Sequence, residues 1–261
     1  MSDPLLSATL RAARAGGRAA MRHFRSSRLK VMEKGDGSPV SAADLASNTA
    51  ILKEIRRAFP GHGILSEETG EQAGDGTHLW IVDPVDGTRS FVRGLPYWTV
   101  LLALEVDGRL EASVVHAPAL DLTFWARRGK GAFEDGRRLG VSRRGIGEAW
   151  ALHGPIDCFR AAGLERNFLS LSRRPSIFTG ATDALGYAAV ARGQVEAFAE
   201  GPGPEVWDLA APRLLVEEAG GRFSDFRGRR THAGLGSLAS NGRVHAELLD
   251  ALGPIPEDRR R

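Results

Sequence analysis

The chain is most constrained between Trp80 and Phe91, where it reads Trp-Ile-Val-Asp-Pro-Val-Asp-Gly-Thr-Arg-Ser-Phe. The run Leu79-Trp80-Ile81-Val82 is short and wholly apolar, the pattern of a strand covered on both faces. Such a strand has to lie inside a layered protein. It is predicted to end at Asp83, with Asp86 three residues further on across a proline. Pro84 fixes φ and carries no N–H, so a turn here can aim the Asp83 carboxylate, the Val85 carbonyl and the Asp86 carboxylate at one point. Hard oxygen donors grouped in this way suit Mg²⁺. Gly87-Thr88 then opens a predicted helix whose free N–H groups bind an anion. A carboxylate metal site beside an anion site is the basic layout for phosphoester hydrolysis.

The rest of the chain supplies the layers. Asp3 and Pro4 start a predicted helix with Leu5, Leu6, Leu10 and Ala13 on its apolar face. A polar loop at 33–39 precedes a second helix, capped by Ser41, carrying Ala46, Ala50, Ile51 and Ile55, and stopped by Pro60-Gly61. Strands at 97–106 and 110–116 flank Asp107-Gly108, a strong hairpin signal, and strands at 122–126 and 131–133 continue the sheet. The Gly/Arg-rich stretch 141–148 is a candidate boundary. Beyond it strands at 149–153, 177–179, 195–199, 222–225 and 238–240 alternate with helices near Cys158, at 183–192, at 206–219 and up to Leu252. At 261 residues this pattern predicts a two-lobed α/β protein, with an N-terminal lobe over 1–145, a C-terminal lobe over 146–254 and a frayed tail over 255–261.

Several function classes are disfavoured. The longest apolar stretch, Tyr97 to Leu104, is far shorter than the ~20 residues of a spanning helix. Lys+Arg 35 against Asp+Glu 32 leaves +3, and the basic clusters at 22–30, 143–144 and 227–230 do not interleave with aromatics, which argues against nucleic-acid binding as the main role. The single Cys158 excludes an internal disulfide and fits a reducing cytoplasm, and the N-terminus lacks the apolar core of a secretory leader. Gly129-Lys130-Gly131 is followed by alanine, so it is no phosphate-binding loop, and no Gly-x-Ser-x-Gly elbow occurs. Cys158 lacks the arginine six positions on that a thiol phosphatase needs, and the seven histidines show no paired ligand spacing for zinc.

Two further acidic segments are ambiguous alone. Ser66-Glu67-Glu68-Thr69 reads either as a helix-capping cluster or as cation ligands at a strand end. Asp208, in Val206-Trp207-Asp208-Leu209-Ala210-Ala211, reads equally as a first-turn acid favoured by the helix dipole.

Taken with residues 80–91, these segments resemble the inositol monophosphatase family. The match comprises Ser-Pro-Val-Ser-Ala-Ala-Asp at 38–44, Ser-Glu-Glu at 66–68, residues 80–91, and Trp-Asp-Leu-Ala-Ala with Glu-Ala-Gly-Gly within 207–221. The motifs fall in family order and spacing and span nearly the whole chain. The resemblance implies a layered αβαβα sandwich, commonly a homodimer, and Mg²⁺-dependent hydrolysis of a small phosphorylated metabolite.

Carried over residue by residue, it implies that Glu67, Asp83 and the Val85 carbonyl hold a first Mg²⁺ and that Asp83, Asp86 and Asp208 hold a second. A weaker third ion would sit near Glu67 and Glu68, giving two to three ions per site. Asp44 and Thr88 resemble the pair that orients and deprotonates the attacking water, and the Gly87 and Thr88 amides would hold phosphate oxygens. Lys34 lies in the segment that resembles the family's mobile loop.

Residues 90–98, 117–120 and 124–133 resemble the histidinol-phosphatase branch, and Asp183 stands where that branch often carries Asp. Histidinol phosphate bears an ammonium and an imidazole, which gives an added carboxylate a physical reason; the other reading of Asp183 is a helix N-cap. Glu200 stands eight residues before Asp208 where the family spacing is seven, so Glu205 is a second candidate for the substrate-facing role. The alternatives are an inositol 1-phosphate or bisphosphate-nucleotide phosphatase of the same family, or a non-catalytic, regulatory or RNA-associated member.

Overall fold

A computed structural model describes residues 3–27, 29, 31–33, 39–181 and 183–255. Helix α1 (Pro4–Met21) leads into the short strands β1 (Val31–Glu33) and β2 (Pro39–Ser41), which pair antiparallel, and then into helix α2 (Ala42–Ala58). Strands β3 (Gly63–Ser66), β4 (Gly70–Gln72) and β5 (His78–Asp86) follow, then the five-residue helix α3 (Thr88–Val92). Strands β6 (Thr99–Val106), β7 (Arg109–Ala117), β8 (Leu122–Arg127), β9 (Gly131–Glu134) and β10 (Arg137–Arg138) complete the first half. The second half runs β11 (Trp150–His153), α4 (Ile156–Ala161), α5 (Glu165–Ser172), β12 (Ile177–Gly180), α6 (Asp183–Ala191) and β13 (Ala197–Glu200). It ends with α7 (Val206–Glu218), β14 (Arg222–Ser224), β15 (Ser237–Ser240) and α8 (His245–Leu252).

Strands β3 to β10 form an eight-stranded sheet in the order β10-β9-β8-β7-β6-β5-β3-β4, antiparallel except for β3 with β5. A five-stranded sheet runs β12-β11-β13-β15-β14, parallel only where β11 meets β12 and β13. Helices α1 and α2 pack on one face of the first sheet against Trp80, Val82, Val100 and Leu102. Helices α6 and α7 fill the space between the sheets, touching Ile81, Leu101 and Val115 on one side and Phe198, Phe223 and Ala239 on the other. Phe159, Phe168, Leu171 and Leu248, from α4, α5 and α8, cover the outer face of the second sheet. The molecule is therefore a layered αβαβα sandwich.

Four local expectations change. The buried stripe of α1 is made of small residues, Ala8, Ala12, Ala13, Gly16, Gly17, Ala19 and Ala20, with Leu5 and Leu10 only partly covered. The reason is closeness to α2: a Cβ at Gly16 would stand 2.6 Å from Ile51 Cγ1. Strand β5 does not stop at Asp83 but runs to Asp86 through a register shift, because β3 ends its pairing at Val82 and only β6 continues. Pro84 sits at that irregularity, where a missing N–H costs no ladder bond. Near Cys158 two helices stand where one was expected, and strand β6 begins at Thr99, leaving Tyr97 exposed. The loop at 33–39 lies, apart from its ends, outside the described residues, as do Lys34 and the tail beyond 255.

Candidate active site

The site forms where the C-terminal end of β5 meets the N-termini of α2, α3 and α7. Asp83 and Asp86 are buried on β5, and their carboxylate oxygens lie with that of Asp208 within 4.8 Å of one another. Each is held by donors that sequence spacing alone does not reveal. Asp83 Oδ1 accepts from the Val85 amide (2.9 Å), closing the turn around Pro84, and Ser47 Oγ on α2 donates to the Pro84 carbonyl (2.9 Å). Asp86 Oδ2 accepts from Thr99 Oγ1 on the neighbouring strand (2.7 Å) and from the Ala184 amide at the start of α6 (3.1 Å). Asp208, in the first turn of α7, accepts from the Glu205 amide (2.6 Å).

Glu67 enters from the end of β3, its amide donating to the Val82 carbonyl (3.1 Å), and its carboxyl lies against Asp83. Glu68 is half-buried beside it, its amide donating to Ser66 Oγ, which in turn donates to Asn48 (2.8 Å). Glu68 is not part of the carboxylate trio.

Asp44 is the third residue of α2, and Ser41 caps that helix as expected. Asp44 Oδ2 accepts from both the Ser41 amide (2.8 Å) and the Ser41 hydroxyl (2.6 Å), which fixes the carboxylate and leaves Oδ1 to face Thr88 Oγ1 at 3.1 Å. Thr88 Oγ1 also lies 2.9 Å from the Val85 carbonyl, so its single proton is shared between two acceptors. Gly87 has φ +80, and a Cβ there would stand 2.9 Å from the Tyr97 carbonyl and 3.0 Å from Asp183 Oδ2. Only glycine makes that turn.

The electrostatics follow from crowding. Burial, then the neighbouring carboxylates of Glu67, Asp86 and Asp208, push Asp83 well above the carboxylate range. Burial and the neighbours Asp183 and Asp208 do the same to Asp86. Burial lifts Asp208 to about 7 and Asp183 to about 6, with the Arg89 guanidinium restraining Asp183. Asp44 is raised by burial, against the pull of its Ser41 and Thr88 hydrogen bonds. Buried oxygens that repel one another are relieved either by protons or by a divalent cation, and an all-oxygen donor set fits a hard ion such as Mg²⁺.

The remaining predicted residues lie apart from the trio. Asp183 opens α6 with φ +47, its Oδ2 beside Gly87; the α6 amide next to it caps Asp86. Glu200, at the end of β13, is buried and accepts from Tyr187 Oη (2.5 Å), which also pairs with Ser237 Oγ. Burial raises Glu200 to about 8. Glu205 is exposed and meets the site through its backbone amide. Sequence reasoning missed Thr99, Tyr187, Ser237 and Ser47. The first three act across strand or helix contacts with no local signature; Ser47 could have been found as a polar residue on the buried side of α2.

The histidines hold one surprise. His62 and His78 come together with Asp75 despite their sequence separation. Their rings stack in parallel, 4.1 Å apart and 7° between planes, and His62 Nδ1 accepts from Trp80 Nε1 (3.1 Å). Lone pairs lying in two parallel planes do not converge on one ion, so in this arrangement the trio braces the sheet end.

Comparison with known proteins places this geometry. The model of the inositol monophosphatase family matches residues 1–255. The histidinol-phosphatase of Mycobacterium tuberculosis is 39% identical over 232 residues, covering 86% of this chain and 88% of that one. The Nus factor SuhB of Pseudomonas aeruginosa is 38% identical, covering 97% of each. The inositol-1-monophosphatase of Mesorhizobium japonicum is also 38% identical, covering 95% and 96%. Among solved structures, the extragenic suppressor protein SuhB of Bartonella henselae superposes with a TM-score of 0.89 at 34% identity, covering 96% of this chain and 99% of that one. The IMPase of Thermotoga maritima gives 0.84 at 33%, covering 95% and 96%. With the family's motifs gathered around one cluster of buried carboxylates, the chain belongs to the inositol monophosphatase family and is a phosphatase.

Proposed function

We propose that the chain is a Mg²⁺-dependent phosphomonoesterase whose preferred substrate is L-histidinol phosphate, released as L-histidinol and phosphate. The observation that carries the hydrolytic reading is the meeting of Asp83, Asp86 and Asp208 beside the Asp44–Thr88 pair. Glu67, Asp83 and the Val85 carbonyl would hold one ion, Asp83, Asp86 and Asp208 a second, and the Glu67–Glu68 edge a weaker third. Bound there, the ions supply positive charge that acidifies water and stabilises the leaving oxygen.

The chain's own residues do the rest. Ser41 fixes Asp44 so that Oδ1 receives the Thr88 hydroxyl proton, which turns a Thr88 lone pair towards a water proton. The proton passes from water to Thr88 Oγ1 while the Thr88 proton moves to Asp44 Oδ1. Burial makes Asp44 a better proton acceptor than an exposed carboxylate. The amides of Gly87 and Thr88 orient the phosphate oxygens for in-line attack, and no covalent phospho-enzyme is needed.

Substrate choice rests on the carboxyls beyond the trio. Burial raises Glu200, engaged by Tyr187, to about 8 and Asp183, restrained by the Arg89 guanidinium, only to about 6, so Asp183 keeps the larger ionised fraction of the two. Asp183 is therefore the charge that meets the ammonium or imidazolium of histidinol. Relatives named histidinol-phosphatase in M. tuberculosis and in Streptomyces coelicolor, 39% and 38% identical, support this reading. Inositol 1-phosphate is the second candidate, supported by the Mesorhizobium relative. Relatives named Nus factor SuhB keep a regulatory role in view, yet a binding module has no need of an intact hydrolytic cluster.

Phosphate release from a panel of esters with Mg²⁺ tests the assignment. Histidinol phosphate should give the highest kcat/KM, and a preference for inositol 1-phosphate would overturn it. The reading includes a homodimer, for which sedimentation at micromolar concentration should give twice the chain mass.

A further inference from the structure

Helix α1 and its C-cap carry Arg14, Arg18 and Arg22 at successive helical turns on the exposed side. Positions four apart on a helix are neighbours, so the three side chains leave the helix in a row with Cβ steps of about 6 Å. They line a solvent-open depression of about 700 Å³ together with His116, Asp121 and Asp135. Some arginines elsewhere are paired, Arg127, Arg144, Arg192, Arg213, Arg229 and Arg230 each reaching a carboxylate within 3.1 Å, while others, such as Arg11 and Arg109, are not. Among the described residues, Arg14, Arg18 and Arg22 reach none within ion-pair distance, although two acids share their cavity.

The cavity is built by close packing. A Cβ at Gly17 would stand 2.7 Å from His116 Cδ2 and 2.8 Å from Pro118 Cγ, so only a glycine lets α1 lie directly on this floor. A glycine inside a helix costs up to about 1 kcal/mol relative to alanine, and here that cost brings the arginine row against this floor. His116 Nδ1 is engaged by the Leu122 carbonyl and Thr123 Oγ1, which fixes the ring.

The cavity is distinct from the carboxylate site. Val100 pairs with His116, and Asp86 with Thr99, so both lie at the same end of the sheet. They are separated by β6, about 10 Å across two strand spacings. Val100 packs towards α1 and α2, whereas Asp86 is met from the α6 side.

We propose that this cavity is a second anion site that binds a linear oligophosphate, two or three linked phosphate groups, free or esterified. Guanidinium forks bind phosphate oxygens two at a time, and a row of three reads a chain of phosphates better than a single phosphate ion. Asp121 and Asp135 in the same depression accept hydrogen bonds from hydroxyl or amino groups and so favour an esterified chain over the free one.

Calorimetric titration of the full chain in metal-free buffer tests this, leaving out the Mg²⁺ that would draw phosphate to the hydrolytic site. Tripolyphosphate and a nucleoside triphosphate should both bind at micromolar to sub-millimolar concentration, and orthophosphate should bind at least tenfold more weakly. In Arg14→Gln/Arg18→Gln the affinity should fall about 100-fold, roughly tenfold for each guanidinium–phosphate interaction removed, with an unchanged melting temperature. Asp121→Asn should weaken the nucleotide and spare tripolyphosphate if the occupant is esterified; equal affinities identify the free chain as the ligand. If the glutamine pair melts early, Arg14→Lys/Arg18→Lys keeps the charge and should retain partial affinity. No binding at millimolar concentration, or binding unaltered in the folded glutamine variant, would overturn the proposal.

Discussion

The two ends of the candidate active site are built by opposite strategies. At the carboxylate end, Asp83, Val85, Asp86, Gly87 and Thr88 come from six consecutive positions, and the proline and glycine among them dictate the turn, with Asp208 of α7 and Glu67 brought to it by packing. At the end proposed to face the substrate, Asp183, Tyr187, Glu200 and Ser237 come from three separate elements and meet only because α6 packs on β13 and β15. A contiguous corner keeps its geometry when the rest of the protein shifts. An assembled corner changes with any change in the packing of α6 on β13 and β15.

The largest expected effect breaks the contiguous corner. Asp86→Asn keeps the shape and the Thr99 contact yet removes one charged ligand of the second ion, which is linked to the first through Asp83. It should lower kcat at limiting Mg²⁺ by at least about 100-fold with the fold intact by circular dichroism. Near-full turnover would show that Asp86 is not a ligand.

Next in size is a change at the assembled corner. Asp183→Asn should lower kcat/KM for histidinol phosphate by roughly 10- to 150-fold, the loss of one charge-assisted hydrogen bond. Glycerol 2-phosphate, which has no cationic group, should be little affected. Equal losses on both esters would mean that Asp183 acts only through Asp86 and the start of α6.

How much of this was legible in the sequence follows the same division. Residues 80–91 announced the carboxylate turn because ligands, proline and glycine are adjacent, and Ser41-x-x-Asp44 announced its own cap. Composition and periodicity gave the alternation of strands and helices. They did not give the length of β5, because its last residues are set by where β3 stops. Nor did they give the small-residue face of α1, because leucine periodicity outweighs alanine in a sequence pattern while close helix packing selects the reverse. Thr99 was invisible for a related reason: its contact with Asp86 exists only through strand pairing.

That hidden contact supplies a smaller test. Thr99→Val keeps the volume and removes the hydroxyl that steadies Asp86, so apparent Mg²⁺ affinity should fall about 10-fold while kcat at saturating metal changes little. A loss confined to kcat would mean that Thr99 does something other than orient a ligand.

The smallest effect is on stability. In the folded protein Asp183 and Asp208 sit at about 6 and 7, above their unfolded values near 4. A raised folded pKa gives stability that is complete below the unfolded pKa and is lost as pH rises through the folded one. Set against the buried His232 and His245, whose lowered values of about 4 act in the opposite sense, the carboxyls should make metal-free protein melt lower at pH 8 than its Asp183→Asn/Asp208→Asn variant does, and Mg²⁺ should remove that difference. Equal melting temperatures of the two proteins at pH 8 would contradict the crowding described for the cluster.

The most direct test of the central claim is phosphate release from histidinol phosphate while Mg²⁺ is titrated into EDTA-treated protein. The account predicts no turnover without the ion, a saturable rise as it is added, and competition by Ca²⁺, which is larger and less polarising. Undiminished hydrolysis in excess EDTA would contradict it.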